Sequence, residues 1–342
     1  MNYIINHDIN YYIIDLLPIT DIVNLQLVNK SINELVIRSK IYQELQQLKN
    51  IPKNKILKEC YKKGLLEVLK NYNRNNKNII IDNAIDWASE NGHIAVLNWF
   101  KNLATPLSSA GTPIDFKFKY TGYAISLASR NGHVAVLDWF KKTGFEFKCT
   151  CNAIDWASKN GHTAVLDWFK NSATPMNSTG TLTGFEFKYT DNAINWASEN
   201  GHVAVLDWFK KSGFEFKYTS DAINLASKNG HVAVLDWFKK SGFKIECTCW
   251  AINWASENGH IVVLDWFKNL ATPLSSAGTL TGYEFKYTSY AIDRASQNGH
   301  VAVLDWFKNS GYELKYTRCA IDWASINGHV VILDWFKSNG YH

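Results

Sequence analysis

"NGHVAVLDWFKKSGFEFKYT", residues 200–219, decides the fold, because close copies of it run down most of the chain. Its Asn-Gly-His recurs with histidines at His93, His133, His162, His202, His231, His260, His300 and His329, always 29 or 40 residues apart. The basic period is 29. Three copies carry 11 further residues: "ATPLSSAGTPI" at 104–114, "ATPMNSTGTLT" at 173–183 and "ATPLSSAGTLT" at 271–281. A period of this size, repeated eight times, marks a stacked array rather than a globule.

Copy five shows how each unit is built. Thr219 is placed to cap a helix, since its hydroxyl can accept a bond from a free amide of the first turn. "SDAINLASK" follows, with Ile223 and Ala226 on one face, and Asn229-Gly230 ends it because glycine takes the left-handed conformation. "HVAVLDWFKK" forms a second helix with an apolar face of Val232, Leu235, Trp237 and Phe238, closed by Ser241-Gly242. The tail "FKIECT" alternates with period two, as a strand or hairpin finger does. The fold class expected is all-α: an elongated helical repeat solenoid of helix–turn–helix units with short fingers, plus a small N-terminal helical unit.

Residues 56–72, "ILKECYKKGLLEVLKNY", read as a worn copy with lysines on one side, as a terminal cap facing water needs. The organisation expected is a helical unit over 1–50, a degenerate capping repeat over 51–80 and eight repeats over 81–342. Copy eight, "VVILDWFKSNGYH", is more apolar than its neighbours and suits packing against something.

This unit resembles the ankyrin repeat: "AIDWASENGH" stands where that family has Pro-Leu-His-x-Ala-Ala-x-x-Gly-His, and "VAVLDWFKKSG" matches its second helix and closing glycine. The chain departs in lacking Thr-Pro at the start of helix one, in having Asp, Asn or Ser for the helix-one His, and in its shorter period. The aromatic-rich style and the Asn/Ile/Lys-rich composition are similar to ankyrin proteins of giant amoeba viruses. The resemblance implies a concave face, lined by first helices and fingers, that binds a protein target, and a turn histidine that bonds to backbone.

Residues 10–45 resemble an F-box. A helix ends at Leu16-Leu17-Pro18, Asp21-Ile22 open a second, and Leu25, Val28, Lys30 and Leu35 follow that family's Leu-x-x-Val-x-Lys-x-x-x-x-Leu pattern, without the usual Leu-Pro at the motif's entry. The resemblance implies that Leu16, Leu17, Pro18, Ile22, Leu25, Val28 and Leu35 dock on a Skp-type adaptor of a cullin ubiquitin ligase. A plain binding scaffold, with this segment only capping the array, is the alternative.

Charge narrows the partners. Residues 1–80 hold twelve Lys/Arg against seven Asp/Glu, while the rest of the chain is balanced. A neutral array carries no electrostatic footprint for a phosphate backbone, so no nucleic-acid partner is expected. No signal peptide or membrane span is read, and six cysteines without a secretory signal suit a reducing compartment. The expected location is cytoplasm (host cytoplasm for a viral protein) or nucleus.

No enzyme, cofactor or metal site is expected. Equivalent histidines of stacked copies lie about 10 Å apart, too far to share one zinc. The pairs Cys149/Cys151 and Cys247/Cys249 are three copies apart and cannot meet. The repeated Asp of helix two has Lys three residues on, as in Asp207 and Lys210, which predicts a surface ion pair.

The informative positions are those where copies disagree. They are the dipeptide after the capping Thr, the position held by Trp87, Leu127, Trp156, Trp196, Leu225, Trp254, Arg294 and Trp323, and the position three residues later. Solvent-facing sites in near-identical copies are free to change, so drift explains variation as readily as recognition does. The residue types favour recognition, being those that dominate binding hot spots. The partner-binding set is therefore Tyr123, Arg130, Trp156, Trp196, Trp250, Trp254, Tyr290, Arg294, Arg318 and Trp323, with the oligomeric state left open.

Overall fold

A computed structural model describes residues 40–48, 51, 55–75, 83–104, 120–143, 147–172, 187–271 and 283–341. The described residues form nineteen helices, from Lys40–Gln46 to Val330–Ser338, and no strand. The fold is an all-α helical repeat of the solenoid type. The segment read as F-box-like, Leu16 to Leu35, lies outside the described residues. So do the insertions, apart from Ala104 and Ala271, which end second helices.

Copy five forms the two helices its sequence predicts, Ser220–Lys228 and Val232–Ser241. Thr219 is extended, and its Oγ1 accepts the Asp221 amide at 3.2 Å. Gly230 sits at φ +74° between the helices, and Gly242 at φ +79° ends the second. The buried face is small on helix one (Ala222, Ile223, Ala226) and large on helix two (Val234, Leu235, Phe238). Small residues let first helices approach closely, and the large ones fill the space behind them.

Two compact units can be described separately: the described residues up to Ala153 with Ser172, and Ile154–Asn171 with 187–341. In the first, Lys40–Gln46 packs on Leu66–Asn75, and Ile56–Lys63 packs on Ala84–Glu90, which packs on Gly122–Arg130. The worn copy is thus a full helix pair, with Cys60, Val68 and Leu69 buried and Gly64 at φ +67° between its helices. In the second unit, the first helices Asn192–Glu199, Ser220–Lys228, Cys249–Glu257, Tyr290–Gln297 and Arg318–Ile326 pack in series.

Within each unit, three side-chain devices join successive copies. The turn histidine reaches the preceding copy: His93 Nε2–H donates to Lys62 O at 2.7 Å, and His202 and His260 bond the backbone of Lys159 and Lys228. Its ring lies on the preceding turn glycine, so a Cβ on Gly230 would stand 2.9 Å from His260 Nδ1. The brace expected within the histidine's own turn therefore crosses the seam. Burial lowers the pKa of His202 and His260, helped by neighbouring histidines.

The second device uses the position that departs from the ankyrin pattern. Asp155, buried, accepts the Thr190 amide at 2.9 Å and its hydroxyl at 2.7 Å. Asn195 makes the same clasp with Thr219, its Oδ1 accepting the amide at 3.1 Å and its Nδ2–H donating to Oγ1 at 2.9 Å. That threonine also caps the next helix, so one residue fixes both the start of a helix and its seating on its neighbour.

The third device corrects the expected Asp–Lys ion pair. Asp207 Oδ1 accepts Trp237 Nε1–H of the next copy at 2.7 Å, and Asp236, Asp265 and Asp305 repeat the bond with Trp266, Trp306 and Trp335. Lys210 leaves its aspartate for the Trp237 ring, 5.9 Å from the centroid, and for Ser241 O at 3.3 Å. A packed indole N–H needs an acceptor, and the carboxylate of the preceding copy supplies it.

The tails also depart from expectation. They are extended but pair into no strand among the described residues. Successive tails sit one helix spacing apart, about 8–10 Å, against about 4.8 Å in a sheet, so backbones cannot ladder. Rings bridge the gap instead: Phe187 stacks on Phe214 at 4.2 Å and Phe216 on Phe243 at 4.3 Å. Tyr218 Oη–H donates to Lys244 O at 2.9 Å.

Candidate functional site

The alternation of small buried and variable outward residues along each first helix places the candidate side chains. Ala251, Ile252 and Ala255 of Cys249–Glu257 are fully buried, which turns Trp250, Trp254 and Glu257 outward. Trp250 and Trp254 stack with centroids 5.2 Å apart, and Tyr290 of the next copy meets Trp250 edge-on at 5.2 Å. Tyr290 Oη–H donates to the Glu257 carboxylate at 3.3 Å. Burial raises the Tyr290 pKa and the Glu257 charge adds to it, which keeps the phenol protonated as a donor. The Arg294 guanidinium lies 4.9 Å from the Tyr290 ring and 4.6 Å from the Trp323 ring.

Five of the expected partner-binding residues, Trp250, Trp254, Tyr290, Arg294 and Trp323, therefore form one continuous aromatic–cation patch across copies six to eight. Trp250 is 40% exposed. Trp156 and Trp196 are half-buried on earlier first helices of the same unit. Arg318 is exposed and directed to Asp322 at 3.5 Å instead of into the patch. Tyr123, 58% exposed, and Arg130 belong to the other unit.

Sequence reasoning missed the cations that cover these rings. Lys159 Nζ stands 5.2 Å over Trp196, and Lys228 Nζ 5.5 Å over Trp254, each reaching from the preceding copy. The signal was present. Where the last variable position is cationic (Arg130, Lys159, Lys228), the next copy has Trp (Trp156, Trp196, Trp254); where it is Glu (Glu90, Glu199, Glu257), the next copy has Leu127, Leu225 and Arg294, none of them aromatic. The negative face of an indole attracts a cation and repels a carboxylate, so the variable residues are matched across seams.

Among the described residues no group of three or more His, Cys, Asp and Glu could hold a metal. Cys149, Cys151, Cys247 and Cys249 are half-buried free thiols. Burial, with Cys151 adjacent, pushes the Cys149 thiol up to about 12, and a protonated thiol is neither a good nucleophile nor a ligand. No described helix is long and apolar enough to cross a membrane.

Fold and face together define an all-α helical repeat protein with a matched aromatic–cation surface on its first helices. Neither a known family nor a curated protein matches the chain.

Proposed function

We propose that the chain is a protein-interaction module of ankyrin type whose first-helix face binds a protein target. The observation that carries this reading is the patch of Trp250, Trp254, Tyr290, Arg294 and Trp323. It joins the residue types richest in binding energy on one side of one unit. We further propose that the F-box-like segment delivers the target to a cullin ubiquitin ligase through a Skp-type adaptor, in the cytoplasm or nucleus of an infected host.

The plain-scaffold alternative rests on an observation of its own. Lys40–Gln46 seats on the worn copy with Ile41 buried, and the Glu44 carboxylate accepts the Val68 amide at 3.0 Å. A carboxylate at that helix start satisfies an open donor and favours the positive end of the dipole. The end of the N-terminal segment thus acts as a cap, whatever the rest of it does.

One pulldown from amoeba lysate separates the two. The intact chain, a Leu16→Asp/Val28→Asp variant and a Trp250→Ala/Tyr290→Ala variant are compared after circular dichroism has verified their folding. The ubiquitin reading expects adaptor and cullin with the intact chain and the face variant, and neither with the head variant. Recovery of no adaptor by any chain leaves the scaffold. Targets retained equally by the face variant refute the docking face.

A further inference from the structure

Within the second unit the last variable position of the first helix reads Lys159, Glu199, Lys228, Glu257 over four consecutive copies. The charge alternates at every step. None of these residues is buried, and the two lysines are exposed. Three of the four side chains are held in place. Lys159 and Lys228 stand over the indoles of the next copy, and Glu257 accepts the Tyr290 hydroxyl. Restraint of this kind lowers the entropy lost when a charged side chain meets a partner.

The spacing of the row matches one polymer well. Packed helices stand about 8–10 Å apart, and a polyproline-II chain, with three residues per turn and a rise of about 3.1 Å, returns a side chain to the same face about every 9 Å, so one copy matches one turn of the partner. We propose, resting on the docking-face reading, that the face takes a peptide segment in the extended polyproline-II conformation, with acidic and basic residues alternating at every third position. Its acidic residues meet Lys159 and Lys228, its basic residues meet Glu199 and Glu257, and apolar or aromatic residues beyond them reach Trp250 and Tyr290. A partner helix would need the same charges about seven residues apart, and a straight rod departs from the row as the repeats rotate. An extended segment bends with it. The alternation also disfavours a polyanion, which two of the four positions repel.

The test is selection of a displayed library of random 16-residue peptides on the full chain, and in parallel on Glu199→Lys. The expected wild-type peptides alternate acidic and basic residues with period three. Those selected on Glu199→Lys carry three acidic residues at that spacing, and wild-type peptides bind this variant roughly fivefold more weakly, the scale of one exposed ion pair. Peptides without charge periodicity, with period seven, uniformly acidic, or identical for both chains overturn the register. A third chain, Trp254→Ala, checked by circular dichroism, separates that failure from the wider one. Peptides that lack the period but lose binding to Trp254→Ala leave the docking face standing. Peptides indifferent to both substitutions, or no enrichment at all, count against the register and the face alike.

Discussion

The seam between copies and the first-helix face are built from the same repeated unit, yet they vary in opposite ways. At the seam, His260 on Gly230, Asn224 on Thr248 and Trp266 on Asp236 recur with little change in type or geometry. On the face, Leu225, Trp254, Arg294 and Trp323 succeed one another at one register position. A seam residue is bound by a residue 24 to 41 positions away that is itself repeated, so changing one side strands the other. A face residue answers to other variable residues, as Trp254 does to Lys228 and Trp250. Invariance within the chain therefore reports tertiary coupling.

The comparison breaks most visibly in the core behind the seam. Phe238 is fully buried and in ring contact with Phe216, Tyr218, Trp237 and Phe243. Phe238→Ala is expected to cost about 3–5 kcal/mol, read as a lower urea midpoint. Next comes Gly230→Ala, which combines a left-handed backbone with a Cβ driven at the His260 ring. About 2–3 kcal/mol is expected. A loss below about 1 kcal/mol in urea titration would show that the histidine yields easily and that the interlock is weak.

A smaller change sharpens the clasp. Burial raises the Asp155 pKa against the lowering effect of its Thr190 hydrogen bonds. A carboxyl raised in the folded state contributes its stability below the unfolded pKa, and that contribution is lost as pH rises through the folded value. Asp155→Asn, which can copy the Asn195 clasp, should raise stability at neutral pH by up to about 1 kcal/mol. The gain should vanish near pH 4. Equal melting curves at pH 4 and pH 7 would show that the charge costs nothing.

Two seam histidines, His202 and His260, give the opposite slope. Their pKa values are lowered by burial, so the folded state resists protonation. Stability is full above about pH 6.5 and declines as pH falls from there. His202→Gln or His260→Gln should flatten that decline in a pH series of urea midpoints. The smallest change in stability is expected on the face: Trp250→Ala, within about 0.5 kcal/mol of the parent. A larger loss would move Trp250 from the face to the seam.

Much of this was legible in the chain itself. Thr219, Gly230 and Gly242 mark the helix ends because a cap and a left-handed turn are local chemistry. The worn copy could be aligned through Val68 and Leu69, which are buried, and Gly64, whose left-handed turn favours glycine. The partner of Asp207 was not legible. Local spacing pointed to Lys210, whereas stacking delivers Trp237. The tails read as strands for a similar reason: period-two alternation describes a chain with two faces, and it does not say what lies one helix spacing away.

By itself the sequence determined the repeat, its period, the helix boundaries and which positions vary. Those properties depend on neighbours within a few residues, where backbone geometry and capping leave few options. Tertiary structure alone decided who meets whom across the seam: the histidine on the preceding glycine, the threonine clasped by Asp or Asn, the lysine over the next indole. Those pairings arise when two copies come within hydrogen-bond and ring-contact distance, and a repeat read one copy at a time does not contain that distance.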